Sequence, residues 1–445
     1  MTFSRYPKYR PSGVEWLGQV PAEWVTCPLK RAFRVIRGST PNTHATEFWD
    51  GAIPWVTPAD LSRLRSLYIE DSQRKITLAG MKSGGVTLVP KGSVMLSTRA
   101  PIGLVAVSGI ELCTSQGCRS LVPLREVDAT YFAYLLSACS AELNIRGKGT
   151  TFLELSGREL AEFKVPVPPK MEQTRIAHFL DRETSKIDAL VETQRQLMVL
   201  LKEKRQAAIS HSVTQGLNPK APMKDSGVES LGKIPAHWEV GRMTKYLDSV
   251  VDYRGRTPEK VDEGVLLLTA RNIRDGKIDY AASEELIAPD DCEELMRRGR
   301  PNRGDVLFTT EAPVGQAANV DRTDVALAQR VIKFRGRANI LSNYFLKYWI
   351  LGAFCQADIA RLATGSTVLG ITRNKIGQLR LCLPPYDEQK SIAVFLDRQI
   401  DKLDSLTCEI NRVIDLLAER RTALIFAAVT GQIDIRDIEE RRSAA

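Results

Sequence analysis

The sequence predicts an α+β protein: two mixed α/β blocks joined by two long antiparallel coiled-coil helices, with a pseudo-twofold internal repeat. Three observations lead there. Residues 12–33 (SGVEWLGQVPAEWVTCPLKRAF) return as residues 226–247 (SGVESLGKIPAHWEVGRMTKYL). Residues 168–214 return in register as residues 384–430. Between these matched ends lie two longer blocks of similar size that share only scattered turns. A repeat constrains architecture before any local pattern does, because each copy should fold alike and bury apolar surface against its sister. The expected boundaries are a first block at 1–167, a first helix at 168–216, a second block at 217–383, a second helix at 384–432 and a tail at 433–445.

The repeated helices are the most regular part. After Pro168-Pro169, the apolar residues Ile176, Leu180, Ile187, Leu190, Leu197, Leu201 and Ala208 recur in steps of three and four, with Glu183, Gln194 and Lys204 at the remaining seam positions. That is a heptad seam. The second copy repeats it at Ile392, Leu396, Leu403, Leu406, Ile410, Val413, Leu417 and Leu424, with Gln399 and Arg420 where the first has Glu183 and Lys204. Each helix opens after a diproline, with Glu172 in one first turn and Asp387 and Glu388 in the other, where carboxylates favour the positive end of the helix dipole. Each closes near a glycine, Gly216 or Gly431, after a Val-Thr pair. Roughly forty residues at about 1.5 Å each make a rod on the order of 60 Å.

Connectivity sets direction. The first helix delivers the chain to the start of the second copy, so a twofold relation requires the second helix to run back, pairing the rods antiparallel with one block at each end. The alternative is that each helix packs on its own block as an ordinary amphipathic helix.

Composition bounds the function. At 445 residues, 43% hydrophobic and 26% charged, the chain is long enough for two or three domains with proper cores. The basic start MTFSRYPKYRPSG lacks the apolar run of a secretory signal, and no stretch approaches roughly twenty apolar residues, so a cytoplasmic protein without a membrane span is expected. Eight cysteines without CxxC pairing and four histidines at no zinc spacing give no metal site, and Cys113 and Cys118 read as reduced strand or core residues. Net charge is +9, unevenly placed: 20 basic against 14 acidic residues over 1–169, and 25 against 21 over 215–385, while the repeated helices nearly cancel. Two basic blocks suit a polyanion partner, and equally a merely soluble basic protein.

Within the first block, strand-like runs occur at 86–89, 94–98, 104–107 and 164–167, with a helix at about 130–143. The second offers runs at 265–269, 305–310, 331–334 and 379–383, with a helix near 343–356. Shared turns recur. Arg37-Gly38-Ser39-Thr40-Pro41 faces Arg254-Gly255-Arg256-Thr257-Pro258, Ala100-Pro101-Ile102-Gly103 faces Ala312-Pro313-Val314-Gly315, and Gly149-Thr150-Thr151, which follows the candidate phosphate contact Lys148, faces Gly365-Ser366-Thr367. Their glycines and prolines mark turns that both copies need.

The residues that vary beside those turns point further. Arg99 stands where the second copy has Glu311; Gln116 and Arg119, in a strand-like stretch, face Gln329-Arg330; and Arg271, Asn272 and Arg274 cluster at another turn. Arg, Gln, Asn and Glu read base edges by hydrogen bonding, whereas Ser, Thr, Lys and Gly turns hold phosphates. Any one of these residues is an ordinary surface side chain; the set carries weight because it recurs at corresponding places.

No GxxxxGK[ST] loop, no Asn-Pro-Pro-aromatic stretch and no linked nucleophile, histidine and carboxylate is present. The segment Gly147-Lys148-Gly149-Thr150-Thr151-Phe152 lacks the last glycine of a dinucleotide fingerprint.

The runs Pro168-Pro169-Lys170-Met171-Glu172-Gln173 and Pro384-Pro385-Tyr386-Asp387-Glu388-Gln389, each leading into a heptad helix after a variable block, resemble the specificity (S) subunits of type I restriction-modification systems. The opening SGVE segment followed by Pro-Ala-x-Trp (residues 21–24 and 235–238) is similar to the one that begins each half of that family. The resemblance covers essentially the whole chain. It implies a non-catalytic DNA reader with two target recognition domains, each binding one half of an asymmetric interrupted duplex. It implies two methyltransferase (M) subunits and restriction/translocase (R) subunits as partners, with S-adenosylmethionine, ATP and Mg2+ on those partners and no cofactor in this chain. Rivals are a self-contained nuclease or methyltransferase, and a coiled-coil scaffold without a DNA role.

Overall fold

The computed structural model describes residues 3–149, 153–253, 255, 258–365 and 369–436. These form two compact units: residues up to 193 with those from 412 onward, and residues 194–411. Each unit contains one globular head and a piece of both long helices, called here the first rod (Lys170–Gln215) and the second rod (Tyr386–Val429).

The first head is built on a five-stranded sheet in the order Phe33–Arg37, Cys118–Pro123, Val94–Ser97, Val105–Ser108, Tyr68–Ile69, antiparallel except for the last pairing. Its central strands are buried on both faces, and alternation explains how. Val94 and Leu96 point into a core with Tyr131, Phe132 and Leu135, while Met95 between them points into a second core with Val56, Leu61 and Cys118. A smaller sheet pairs Trp49–Val56 with Cys113–Thr114 in parallel and Lys75–Ile76 antiparallel.

The second head repeats the plan with different residues. Its sheet runs Leu247–Asp252, Val331–Gly336, Val306–Thr309, Ala317–Asn319, antiparallel throughout. Val306 and Phe308 face one core and Leu307 the other. Here too a satellite sheet has one parallel pairing, Val265–Leu268 with Val325–Leu327.

Three local expectations need correction. Residues 86–89 form no strand; only Val89 bridges to Leu112. Both expected head helices divide, at Cys139 between Ala129–Ala138 and Ser140–Ile145, and at Gly352 between Asn343–Leu351 and Ala353–Leu362. Gln116 lies in an exposed turn, not a strand, whereas Arg119 is in Cys118–Pro123.

The Pro-Pro-x-x-Glu-Gln runs acquire a physical reason. Gln173 Oε1 accepts the N–H of Asp128 (2.9 Å) and its Nε2 donates to the Pro168 carbonyl (2.8 Å). Gln389 does the same with the N–H of Ser342 and the carbonyls of Pro384 and Ile340, each at 2.8 Å. Asp128 and Ser342 are the N-cap residues of the main head helices, so one buried amide ties the first turn of each rod to its head.

Within each unit the rod segments run antiparallel. In the first, Arg421 Nε donates to Asp188 Oδ1 (3.0 Å) and Ile176 and Leu180 share a core with Ile425 and Val429. In the second, Arg205 meets Asp404 (3.6 Å) and Ile209 and Val213 share a core with Leu396 and Ile400. The heptad seam is closed unevenly. Ile187, Leu403 and Ile410 are buried, yet Leu190, Leu197, Leu406 and Val413 remain 41–51% exposed, since a helix pair alone covers only one stripe.

Each rod stops at a left-handed glycine, Gly216 (φ +74°) or Gly431 (φ +75°). Beyond Gly431 the chain returns to its own start: Asp434 N–H donates to the Ser4 carbonyl (2.8 Å) and Tyr9 Oη donates to the Gly431 carbonyl (2.9 Å). In the second unit a continuous chain, residues 217–222, occupies the corresponding place, and Met223–Asp225 pairs with Lys233–Pro235 as Tyr9–Pro11 pairs with Gln19–Pro21.

Candidate nucleic-acid interface

In the first head two of the sequence-selected arginines, Arg99 and Arg119, share one carboxylate, with Arg37 and Lys148 close by. Arg37 ends the edge strand and stands opposite Arg119 in the ladder. Like charges so placed repel unless an anion intervenes. Glu154 supplies part of that anion: its Oε2 accepts from Arg99 Nε (3.1 Å) and its Oε1 lies 3.9 Å from Arg119 Nη2. Lys148 pairs with Glu154 through both backbone hydrogen bonds (3.0 Å each) and extends its amine to Glu159 (3.0 Å). Arg119 is 7% exposed and its Nη1 has no hydrogen-bond partner among the described residues. Burial, and then the charge of Arg37, hold its guanidinium below the usual value, with Glu154 opposing. Lys30, Arg34, Arg37 and Arg119 line one groove of this head beside Phe33 and Leu124.

Other residues of the first set do different things. Ser39 Oγ donates to the Gly84 carbonyl (2.6 Å) and its own carbonyl accepts from Trp55 Nε1 (2.9 Å), so it fixes a turn. Gly38 is required beside it, since a Cβ there would lie 1.9 Å from the Ser115 carbonyl oxygen. Thr40 is half-buried and Gln116 exposed. Thr150 and Thr151 lie outside the described residues.

In the second head Glu311 Oε2 lies 3.3 Å from Arg330 Nε. Beside this pair a cavity of about 220 Å³ is lined by Arg271, Gln329 and Arg330 together with Thr269 and Glu285. Arg271 is exposed on a single 3-10 turn, Ala270–Asn272. Asn272 is corrected from a candidate contact to an internal brace. It is fully buried, its Oδ1 accepts from the Thr269 N–H (2.9 Å), and its Nδ2 donates to the carbonyls of Asp279 and Ser283 (2.9 Å each). Arg274 is exposed beside Asp275, on a hairpin whose Lys277 reaches Asp404 of the second rod (2.7 Å). Arg254, Arg256, Thr257, Ser366 and Thr367 lie outside the described residues.

Sequence reasoning missed Glu154, Lys30 and Arg34. Glu154 comes soon after the sequence Gly-Thr-Thr and its counterpart is Gly370, so nothing local marks it; the bridge to Arg99 does. Among the described residues no cluster of three or more His, Cys, Asp or Glu could hold a metal ion, and no helix is long and apolar enough to cross a membrane. Cys113 and Cys118 are buried and free, and burial pushes their thiols up to about 11 and about 12.

Comparison with known proteins places this architecture. Residues 21–198 and 264–416 match the family model of the type I restriction modification DNA specificity domain. The specificity subunit of type I restriction enzyme MjaIX from Methanocaldococcus jannaschii is 35% identical over 51% of this chain, which spans about half (52%) of that relative. The MjaVIII specificity subunit of the same organism is 22% identical over 94% of this chain and 95% of its own. Among solved structures, one described as the structural basis of complex assembly and conformational transition of the type I R-M system superposes with a TM-score of 0.69 at 16% identity, covering 92% of this chain and 98% of that one. The HsdS subunit from Thermoanaerobacter tengcongensis gives 0.51 at 17% identity, covering 93% and 98%. With a family match in both halves and a shared fold along nearly its whole length, the chain belongs to the type I restriction-modification DNA specificity family.

Proposed function

We propose that this chain is the non-catalytic sequence reader of a type I restriction-modification assembly. Each head reads one half of an asymmetric, interrupted double-stranded DNA site, and the rods set the length of the unread gap. The observation that supports this reading is that two heads of similar plan carry unlike side chains at corresponding turns: Arg99 in one where the other has Glu311, and Gly117 where the other has Arg330. Shared backbone with divergent donors and acceptors is what two different half-sites require. The modest basic excess of both blocks adds attraction for the phosphates.

The rods offer a platform for two methyltransferase subunits, with restriction/translocase subunits joining that core. S-adenosylmethionine, ATP and Mg2+ belong to those partners, and the reaction proceeds in the cytoplasm on their active sites. This chain's contribution is to hold them at a defined sequence.

Mapping methylated adenines in cells that carry the chain with its companion subunits tests the proposal. The expected result is one bipartite motif. Inserting one helical turn before Gly216 adds about 5.4 Å, which at about 3.4 Å per base pair should lengthen the gap by one to two pairs with both half-sites kept. A changed half-site with an unchanged gap would refute the ruler. Cleavage or methyl transfer by the purified chain alone would favour a self-contained enzyme, and duplex binding that ignores salt would favour a plain scaffold.

A further inference from the structure

The same backbone junction occurs in both heads. In the first, the Thr98 N–H donates to the Gly117 carbonyl (2.8 Å) and the Leu155 N–H to the Thr98 carbonyl (2.8 Å). In the second, the Thr310 N–H donates to the Arg330 carbonyl (2.9 Å) and the Ile371 N–H to the Thr310 carbonyl (3.0 Å). The residue after each threonine forms a backbone bridge, Arg99 with Glu154 and Glu311 with Gly370. Thus Arg99 and Glu311 are structural counterparts, as are Glu154 and Gly370, and Gly117 and Arg330.

An arginine–glutamate pair stands at this junction in both heads, assembled from different positions. In the first, the bridge turn gives the guanidinium and the facing segment gives the carboxylate. In the second, the bridge turn gives the carboxylate and the turn before Val331 gives the guanidinium. Side-chain exposures are 39% and 33% for Arg99 and Glu154, and 52% and 44% for Arg330 and Glu311. Ion pairs this exposed contribute little to stability, so beyond the 3.9 Å approach of Glu154 to the buried Arg119, stability does not account for building the same pair twice from different chain segments.

The chemistry of the two groups together is more informative. In the major groove a G·C pair presents two acceptors on guanine, O6 and N7, beside one donor on cytosine, N4. A guanidinium next to a carboxylate presents the complementary set. An A·T pair does not match it, because the adenine N6 amino group would face the guanidinium. Before DNA arrives the two side chains satisfy each other, and near the surface that bond is replaced at small cost. We propose that each head reads one G·C base pair with this pair, Arg99 with Glu154 in the first half-site and Arg330 with Glu311 in the second. The inference rests on the DNA-reading function proposed above and names the specificity-determining residues and the base pair they select.

The test uses the full chain purified from its host with the subunits that accompany it, a library of randomised duplexes, and sequencing of the bound fraction. The wild type should select a bipartite motif. Arg99→Ala and Glu154→Ala should each weaken selection at the same single G·C position by roughly tenfold or more, leaving the rest of that half and the whole other half intact. Arg330→Ala and Glu311→Ala should do the same in the other half. If an alanine variant loses its wild-type thermal transition, Arg99→Lys, Glu154→Gln, Arg330→Lys and Glu311→Gln decide in its place, with the same single-position loss expected. Folded variants that select the unchanged motif, or that lose affinity equally for every sequence, overturn the inference while the DNA-reading function stands. A wild type that selects no motif overturns both.

Discussion

Asp305 shows how a single residue holds the second head. It is 1% exposed, accepts from Arg335 Nε and Nη2 (2.8 and 2.7 Å), and lies 3.6 Å from the almost fully buried Lys333 amine. Burial holds the Lys333 amine below its usual range while Asp305 works against that. Removing the carboxylate leaves two cations beside each other in a poorly solvated place. Asp305→Ala should therefore destabilise the head by about 3–5 kcal/mol, read from the denaturant midpoint, and Asp305→Asn combined with Lys333→Met should recover part of the loss. Thiol chemistry gives a second check at this scale. Seven of the eight cysteines are buried and Cys408 is exposed, so a thiol reagent should modify one site per native chain and eight in denaturant. The identity of such residues was in the sequence, but their roles were not. Asn272 looked like a base-reading side chain because Asn in a turn between two arginines has that chemistry. Its burial follows from Asp279 and Ser283, whose carbonyls come to it only after folding.

Among elements, the rods were the most legible, because a heptad pattern repeated at two places is both long and periodic. Their ends are held by particular contacts that suggest decisive variants. Gln173→Ala would strand the Asp128 N–H and the Pro168 carbonyl in a buried setting, at about 1–3 kcal/mol, and Gln389→Ala should cost a similar amount in the other unit. Calorimetry should show each change in the transition of its own unit. Gly431→Ala should be worse than an ordinary helix-end substitution. Its φ is +75°, and the added Cβ would lie 2.4 Å from Pro21 Cδ. Strands were less legible. The central strands of each sheet are buried on both faces and so lack polar alternation, and short pairings such as Lys75–Ile76 are too brief to show a pattern.

For the whole molecule, the duplication makes a modular prediction. Exchanging residues 217–383 for the matching block of another family member should change one half of the methylated motif and leave the other unaltered. A change in both halves would mean that the heads do not read separately. Affinity for non-cognate duplex should fall steeply as salt is raised, since that binding is driven by phosphate neutralisation and counterion release. The repeat in the sequence was enough to predict two copies of one plan, and the antiparallel segments within each unit agree with it.

The repeat, the rods with their proline starts and glycine stops, the two unlike blocks between them and the family they resemble are all legible in the linear chain. Those features depend on periodicity, on backbone permissions of proline and glycine, and on motif order, all of which are local or linear. Packing alone fixes which side chains meet: Glu154 with Arg99, Glu311 with Arg330, Gln173 with the N-cap at Asp128. Each of these joins residues separated by 19 to 55 positions. Such partnerships are set by strand register and the packing of loops, which composition and spacing leave open.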